Sequence, residues 1–478
     1  MSTTRNIRTW ADFETARKAG EVTPAEQELV AACKEGRECV LGDGARPNEA
    51  GIEHDIGADL LRYLITGGCK DCDLHDWGVQ LKGAYVSAPL DLSFATTVGI
   101  TKLRACTFAE PIQALQCSFE FLNLSGSYCT GLNAQGARVR GGVFLSNGFT
   151  VKGRVSVSSA TIEGALNCSK GTFHNSDGKA FNAQKCRAGS LIWRGVVSVK
   201  GSVSFDGATI EDLADDMESW GLPDKLRLNG FTYTTIHGPT DESLRLGWLA
   251  KSQEGRRAFQ PQPYEQLAYV LKRMGHTREA RHVQYAKECK LAVSQRDEIW
   301  LERKVSTAKG WRGVLARQAQ DGWHWLRDIA SAVKHAALSL IVGYGYLPAR
   351  SLVLAVVMIA SAALFYSYVW VNGGMVPNTP VVLNSPSWAA AMEERPSAPA
   401  RLWAKGEIGQ HYETFFSPTY AADVFIPLID FGQETAWAPT TATKLGTFAW
   451  AMAWLLKGFG WIVTALGAAA ITGIIRRD

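Results

Sequence analysis

No cysteine follows Cys289, and the stretch 372–445 has none at all. Before residue 350 there is no uncharged apolar run long enough to cross a bilayer, and the first thirty residues have no apolar h-region, so a cleaved signal peptide is not expected. Catalytic signatures are missing too. There is no GxGxxG after a strand signal, no GxxxxGK[ST], no HExxH and no GxSxG. These absences leave nucleotide binding, zinc proteolysis and serine hydrolysis without a motif to stand on. Net charge is +4 over 478 residues, too small to imply a nucleic-acid partner by itself.

What is present is concentrated at the C-terminus. The run from Ser351 to Val371 carries no charge, follows Arg350, and closes on Tyr366, Tyr368 and Trp370. As a helix, Arg350 to Trp370 rises about 30 Å, the thickness of a hydrocarbon core. A second run ends at Arg476-Arg477, with Lys457 about 28 Å back along the same helix. This spacing predicts Arg350, Trp370, Lys457 and Arg476 as interface anchors, with Trp454 and Trp461 as belt residues. Lys457 also invites an ion pair or proton relay with Asp423, Asp430 or Glu434, because ionisable groups at membrane depth are usually functional. Snorkelling to the interface is the favoured alternative.

Residues 301–350 carry eight Lys/Arg against three Asp/Glu, and 372–445 carry four against seven. The positive-inside rule then predicts both termini in the cytoplasm. The ten cysteines, all before residue 290, fit a reducing compartment.

From about Trp77 to Asp241 apolar pairs recur every 10 to 12 residues, among them Leu132/Ala134, Val143/Leu145, Val155/Val157, Leu191/Trp193 and Val203/Phe205. The i, i+2 alternation is a strand signal, and Gly with polar residues supplies turns. A strand this short cannot bury its inner side alone, so stacking into a β-solenoid with roughly two strand units per coil is expected. Cys106, Cys117, Cys129, Cys168 and Cys186 fall within it and read as small buried hydrophobes rather than a thiol relay.

The fold class expected is mixed: a cytoplasmic β-solenoid flanked by α-helical segments, with two C-terminal transmembrane helices. The divisions are a helical segment 1–76, solenoid 77–241, helical hairpin 242–300, basic juxtamembrane helices 301–349, first span 350–371, extracytoplasmic or interfacial segment 372–445, and second span 446–475. Thr23 N-caps one helix, and 56–66 forms another. Pro263 and Gly275 bound the first helix of a tetratricopeptide-type hairpin that would cap the solenoid's open edge.

Three constellations are candidates for chemistry or contact. Cys69, Cys72 and His75 have zinc-ligand spacing but no fourth ligand; the alternative is a polar loop. Arg138, Arg140, Lys152, Arg154, Lys170, Lys179, Lys185, Arg187, Arg194 and Lys200 would form a basic stripe if several shared a face, suited to anionic lipid headgroups or nucleic acid; the alternative is a solvated surface. Gly460, Thr464, Ala468 and Thr472 recur every four residues and predict a smooth helix-packing face toward the first span or a second copy of the chain.

Several stretches resemble a family of bacterial pentapeptide-repeat-like membrane proteins, often labelled "membrane-associated oxidoreductase". They are 78–93 (GVQLKGAYVSAPLDLS), 177–195, 226–233, 261–281, 343–352 and the closing run GWIVTALGAAAITGIIRRD. The resemblance implies a cytoplasmic solenoid tied to the inner membrane. The oxidoreductase label would require a cofactor site, and the residues offer none, so no cofactor is expected. The leading expectation is a membrane-anchored scaffold, with membrane lipids and a protein as partners, homo-oligomerisation open, and nucleic acid disfavoured. A channel-like membrane effector and a redox or metal enzyme are the alternatives.

Overall fold

The computed structural model describes residues 5–67, 75–254, 258–305, 329–330 and 332–472. The chain divides into two units, Met1–Ser294 and Gln295–Asp478.

The first unit is a β-solenoid of about 7 turns. In the early coils most strands run two or three residues before a corner. In the later coils strands of seven to eleven residues, such as Thr161–Asn167 and Thr172–Asn182, run on from one face to the next, and every pairing between coils is parallel. One coil shows the plan: Arg138–Val139, Val143–Phe144, Thr150–Lys152 and Val155–Ser156 are four successive faces, A to D. Faces A and B belong to an 11-stranded sheet, C and D to a 10-stranded one. Leu132 on face D pairs back to Ile112 and forward to Val155, fixing coils of 20 and 23 residues.

The recurrent apolar pairs all lie on faces B and D, which is why they repeat at half a coil. Faces A and C each insert a single side chain per coil, such as Val139 and Val151, and one inward residue leaves no alternation to read. The corners differ from the expected glycine turns. A left-handed residue follows two positions after each pair, and it is often not glycine: Gln116, Asn147, Ser159, Lys170 and Lys185 all take φ between 51° and 56°. Gln116, Asn147, Ser159 and Lys185 donate their backbone N–H to the next coil, as Gln116 does to Gln135 O and Asn147 to Ser169 O, and Lys170 O accepts from Gly148 N–H of the previous one. Stacking offsets the local strain that a Cβ meets there.

The core changes character along the axis. Early coils are filled by Cys106, Cys117, Cys129, Leu122 and Leu124. Later coils carry a continuous aromatic column, in which Phe173 stacks on Trp193 (5.6 Å) and Trp193 on Trp220 (5.5 Å), and Trp220 meets Trp248 at 5.6 Å.

Both ends of the solenoid are covered. At the start, α1 (Trp10–Lys18), α2 (Pro24–Glu35) and α3 (Ala58–Ile65) belong to the same core as the first coils. Thr23 caps α2 in a capping box with Glu26, a carboxylate also held by Arg5. The 1–76 segment is not purely helical, because β1 (Cys39–Val40) already pairs with β2 (Gly78–Lys82). A strand of two residues carries too little pattern to be seen in sequence.

At the far end α4 (Met217–Gly221) and α5 (Glu242–Gln253) follow the last coils. The fully buried Arg245 of α5 donates to both oxygens of buried Asp215 (2.6 and 2.8 Å). Next come α6 (Gln262–Arg273) and α7 (Thr277–Val305), separated by Gly275 in the left-handed region. The α6 glutamines satisfy the exposed strand edge: Gln262 accepts from Gly230 N–H and donates to Phe231 O, and Gln266 donates to Tyr233 O. An open edge that would otherwise template another strand is thereby occupied.

In the second unit two helices, Ala349–Val371 and Lys444–Ile471, are long and apolar enough to cross a membrane, and few of their side chains are buried. The segment between them is folded. Met375–Pro377 pairs antiparallel with Trp437–Pro439, and short helices pack Trp388, Trp403, Tyr412 and Trp437 together. Helix Ser417–Phe425, called here the bridging helix, packs against both apolar helices.

Candidate functional site

The predicted basic residues of the solenoid are exposed except Lys179, but they do not form one stripe. Arg138 and Arg187 lie on face A, with Thr161 between them in register. Arg140 is drawn to Glu120 at 3.1 Å. Lys170 and Lys185 occupy corner positions in the left-handed region, and Arg154 stands at the corner between faces C and D. Arg194 donates to His237 O, and Lys179, half-buried, donates to Gln184 Oε1 at 2.8 Å. A coil of four faces distributes a charged segment around the axis unless the charges recur at the coil period, and these mostly do not.

Face C is the exception. Lys152 pairs with His174, and His174 with Lys200, so three cationic or ionisable side chains stand in one column. Adjacent strands are about 4.8 Å apart, which puts the column within roughly 10 Å end to end. Beside it runs a column of hydroxyls, Thr107, Tyr128, Thr150, Thr172 and Ser198. His174 Nε2 lies 2.9 Å from Ser198 Oγ. Burial, with Lys200 and Lys152 nearby, holds the His174 imidazole below its ordinary pKa, so its charged form is disfavoured here and would be favoured by an anion close by. His174 escaped the sequence reading because its significance depends on register with residues 22 and 26 positions away.

The solenoid cysteines are buried and unpaired with one another as disulfides. Burial pushes Cys106, Cys117, Cys129 and Cys186 up to about 12, so the reactive thiolate is suppressed. They pack as small apolar side chains.

Of the zinc candidates, Cys69 and Cys72 lie outside the described residues. His75 packs beside Gly36, accepts from Trp77 N–H at Nδ1, and donates its backbone N–H to Cys33 O. Among the described residues no cluster of three His, Cys, Asp or Glu is arranged to hold a metal.

The small-residue face of the second apolar helix is rotated from the expected one. Gly446, Ala449, Leu456, Gly460, Val463, Gly467 and Ala470 are buried, whereas Ala468 and Thr472 are exposed and Thr464 is intermediate. The reason is geometric. A strict four-residue repeat drifts about 40° per step on a 3.6-residue helix, while alternating steps of three and four stay on one side. Gly460 does serve close approach: a Cβ there would stand 1.8 Å from Phe425 O on the bridging helix.

Contacts along the apolar pair set its levels. Gly467 sits beside Ser351, and Tyr366 donates its hydroxyl to Ala449 O at 3.2 Å. Lys457 therefore stands part-way along the pair, about 15 Å from the Gly467 level. Its ammonium is ion-paired with Glu434 and lies 5.2 Å over the Trp454 ring. Asp423, buried on the bridging helix, accepts from Phe431 N–H (2.9 Å) and Glu434 N–H (2.8 Å), which fixes the loop that presents Glu434. Trp370 is half-buried, stacked on Phe415 at 4.6 Å. Arg350 donates to Ser339 O. Arg476 and residues 306–328 of the basic juxtamembrane segment lie outside the described residues.

No protein family, curated protein or solved structure matches the chain.

Proposed function

We propose that the protein is a membrane-anchored scaffold whose solenoid presents face C to a protein partner rich in acidic side chains. The observation that carries this reading is the in-register column of Lys152, His174 and Lys200 beside a row of hydroxyls, on a rigid parallel face. Rigidity matters because a surface already ordered loses little entropy on binding. Charge complementarity steers the partner, and the hydroxyls supply donors and acceptors at strand spacing. The exposed apolar helices of the second unit support an anchor in the inner membrane. Charge balance around them favours a cytoplasmic solenoid. Coils of about 20 residues divided over four faces support the pentapeptide-repeat-like reading.

The test is a photo-crosslinking residue at Thr172 in the full chain within its native membrane. A discrete adduct that disappears in Lys152→Glu/Lys200→Glu supports the proposal. No adduct, or one indifferent to the charge reversal, removes it. Protease protection of the first 294 residues checks the orientation independently.

A second reading, an oligomerising membrane effector, draws on the outward Ala468 and Thr472. Leakage on overexpression that Ala468→Leu abolishes would favour it over the scaffold.

A further inference from the structure

A cavity of about 420 Å³ opens in the second unit where the bridging helix, the loop after it and the middle of the second apolar helix meet. That volume lies in the range of small-molecule sites, about 300–1,000 Å³. Its polar lining has both signs of charge, Lys457 with Asp430 and Glu434, and includes Asn378, whose side chain donates to Glu434 O. Asp423 spends both carboxylate oxygens on backbone N–H groups and so acts as a brace. Asp430 accepts only from Gly432 N–H at Oδ1 among the contacts described, and its side chain is exposed. Lys457 holds Glu434, but an ammonium has three donors, leaving capacity for a second anion.

The rim is the opposite of the floor. Of the large apolar side chains that line the cavity, Ile429 is 48% exposed and Trp461 57%. Two large, exposed apolar side chains beside a mixed-charge recess suit an amphiphile rather than a free ion: the head enters, and the chains lie along them. An inorganic cation would meet Lys457, and a free phosphate would meet Asp430 and Glu434. A ligand with phosphate and amine a few bonds apart satisfies both.

We infer that this cavity binds the headgroup of an amine-bearing zwitterionic phospholipid, with its phosphate at Lys457 Nζ, its ammonium at Asp430 and its acyl chains along Ile429 and Trp461. The inference rests on immersion of this unit in a bilayer, which sedimentation with membranes tests separately. It does not depend on what face C binds.

The experiment uses the full chain in detergent, exchanged into nanodiscs of matched acyl composition. Phosphatidylethanolamine competes against phosphatidylcholine and phosphatidylglycerol, and retained lipid is read by native mass spectrometry. Removing one charge-assisted hydrogen bond of about 1.5 kcal/mol corresponds to about tenfold, the preference expected for the ethanolamine lipid over the choline lipid. Asp430→Asn, an exposed and isosteric change, lowers that preference to near unity, and Lys457→Gln lowers retention of all three lipids. Equal retention of the three by the wild type, or an ethanolamine preference that survives Asp430→Asn, overturns the inference. Because the first arm needs no substitution, a Lys457 variant that fails to fold does not blunt the test.

Discussion

The two units solve opposite problems with the same residue types. In the solenoid the largest apolar side chains, Trp193, Trp220, Phe173, Phe181 and Phe205, are fully buried. In the second unit Leu352, Val353, Leu364, Leu455 and Trp454 are each more than half exposed. The solenoid's interior side chains leave water by folding, which supplies roughly 25 cal/mol for each Å² of apolar area. The second unit's outer side chains gain little from folding alone, and lipid would cover them if the two apolar helices cross a membrane. Its inner seam, where Tyr366, Tyr420 and Phe425 meet Ala449 and Gly460, and the Trp388–Trp403–Trp437 cluster resemble the solenoid's packing.

That contrast can be broken most directly at two apolar residues. Trp193→Ala removes the centre of the aromatic column and should cost about 3–5 kcal/mol in denaturant unfolding of the first unit. Leu352→Ala, at an exposed position, should change detergent-phase stability by less than about 0.5 kcal/mol. Comparable losses at both sites would erase the distinction between the units.

A smaller effect tests where the units agree. Gly153 in the solenoid and Gly460 in the second apolar helix both approach backbone carbonyls, Thr130 O and Phe425 O, at distances a Cβ cannot occupy (1.9 and 1.8 Å). Alanine at either should cost about 1–3 kcal/mol through overpacking, read as a lower melting temperature. Ala468→Leu, on the outward face, should leave the melting temperature of the isolated chain unchanged. A destabilised Ala468→Leu protein would restore the strict four-residue face.

Loss of the Thr23 cap is expected to be milder. Thr23→Ala leaves the Glu26 N–H of α2 without its side-chain acceptor and should cost about 1 kcal/mol, measured by urea titration.

The smallest effect is the most local. His174 titrates below the ordinary imidazole value of 6.5. The unfolded chain therefore takes up this proton first, and the contribution of the group to stability declines as pH falls below about 6.5. Ring-proton NMR should show the depressed pKa, rising in Lys200→Gln as one cationic neighbour is removed. No shift in that variant would mean the two side chains do not share a column.

Much of this was readable before any coordinates. The two apolar helices, the cap at Thr23, the break at Gly275 and the solenoid itself follow from local signals: run length, capping residues, alternation. What escaped were features defined by residues distant in sequence. The faces A and C escaped because single inward residues such as Val139 have no period of their own. The corners escaped because Lys170 and Lys185 have no intrinsic preference for the left-handed region and are held there by the neighbouring coil. The buried Asp215–Arg245 pair escaped because nothing near either residue announces the other.

Along the chain, then, apolar spacing determined that there would be a stacked β-coil and a pair of lipid-suited helices, since both depend on periodicities that a linear string displays. Which charges share a face, which glycines meet a carbonyl, and that Lys457 faces Glu434 were decided only by the three-dimensional structure. Coil length varies from turn to turn and helices choose their rotation by packing, so those neighbours are set by register and contact rather than by distance along the chain.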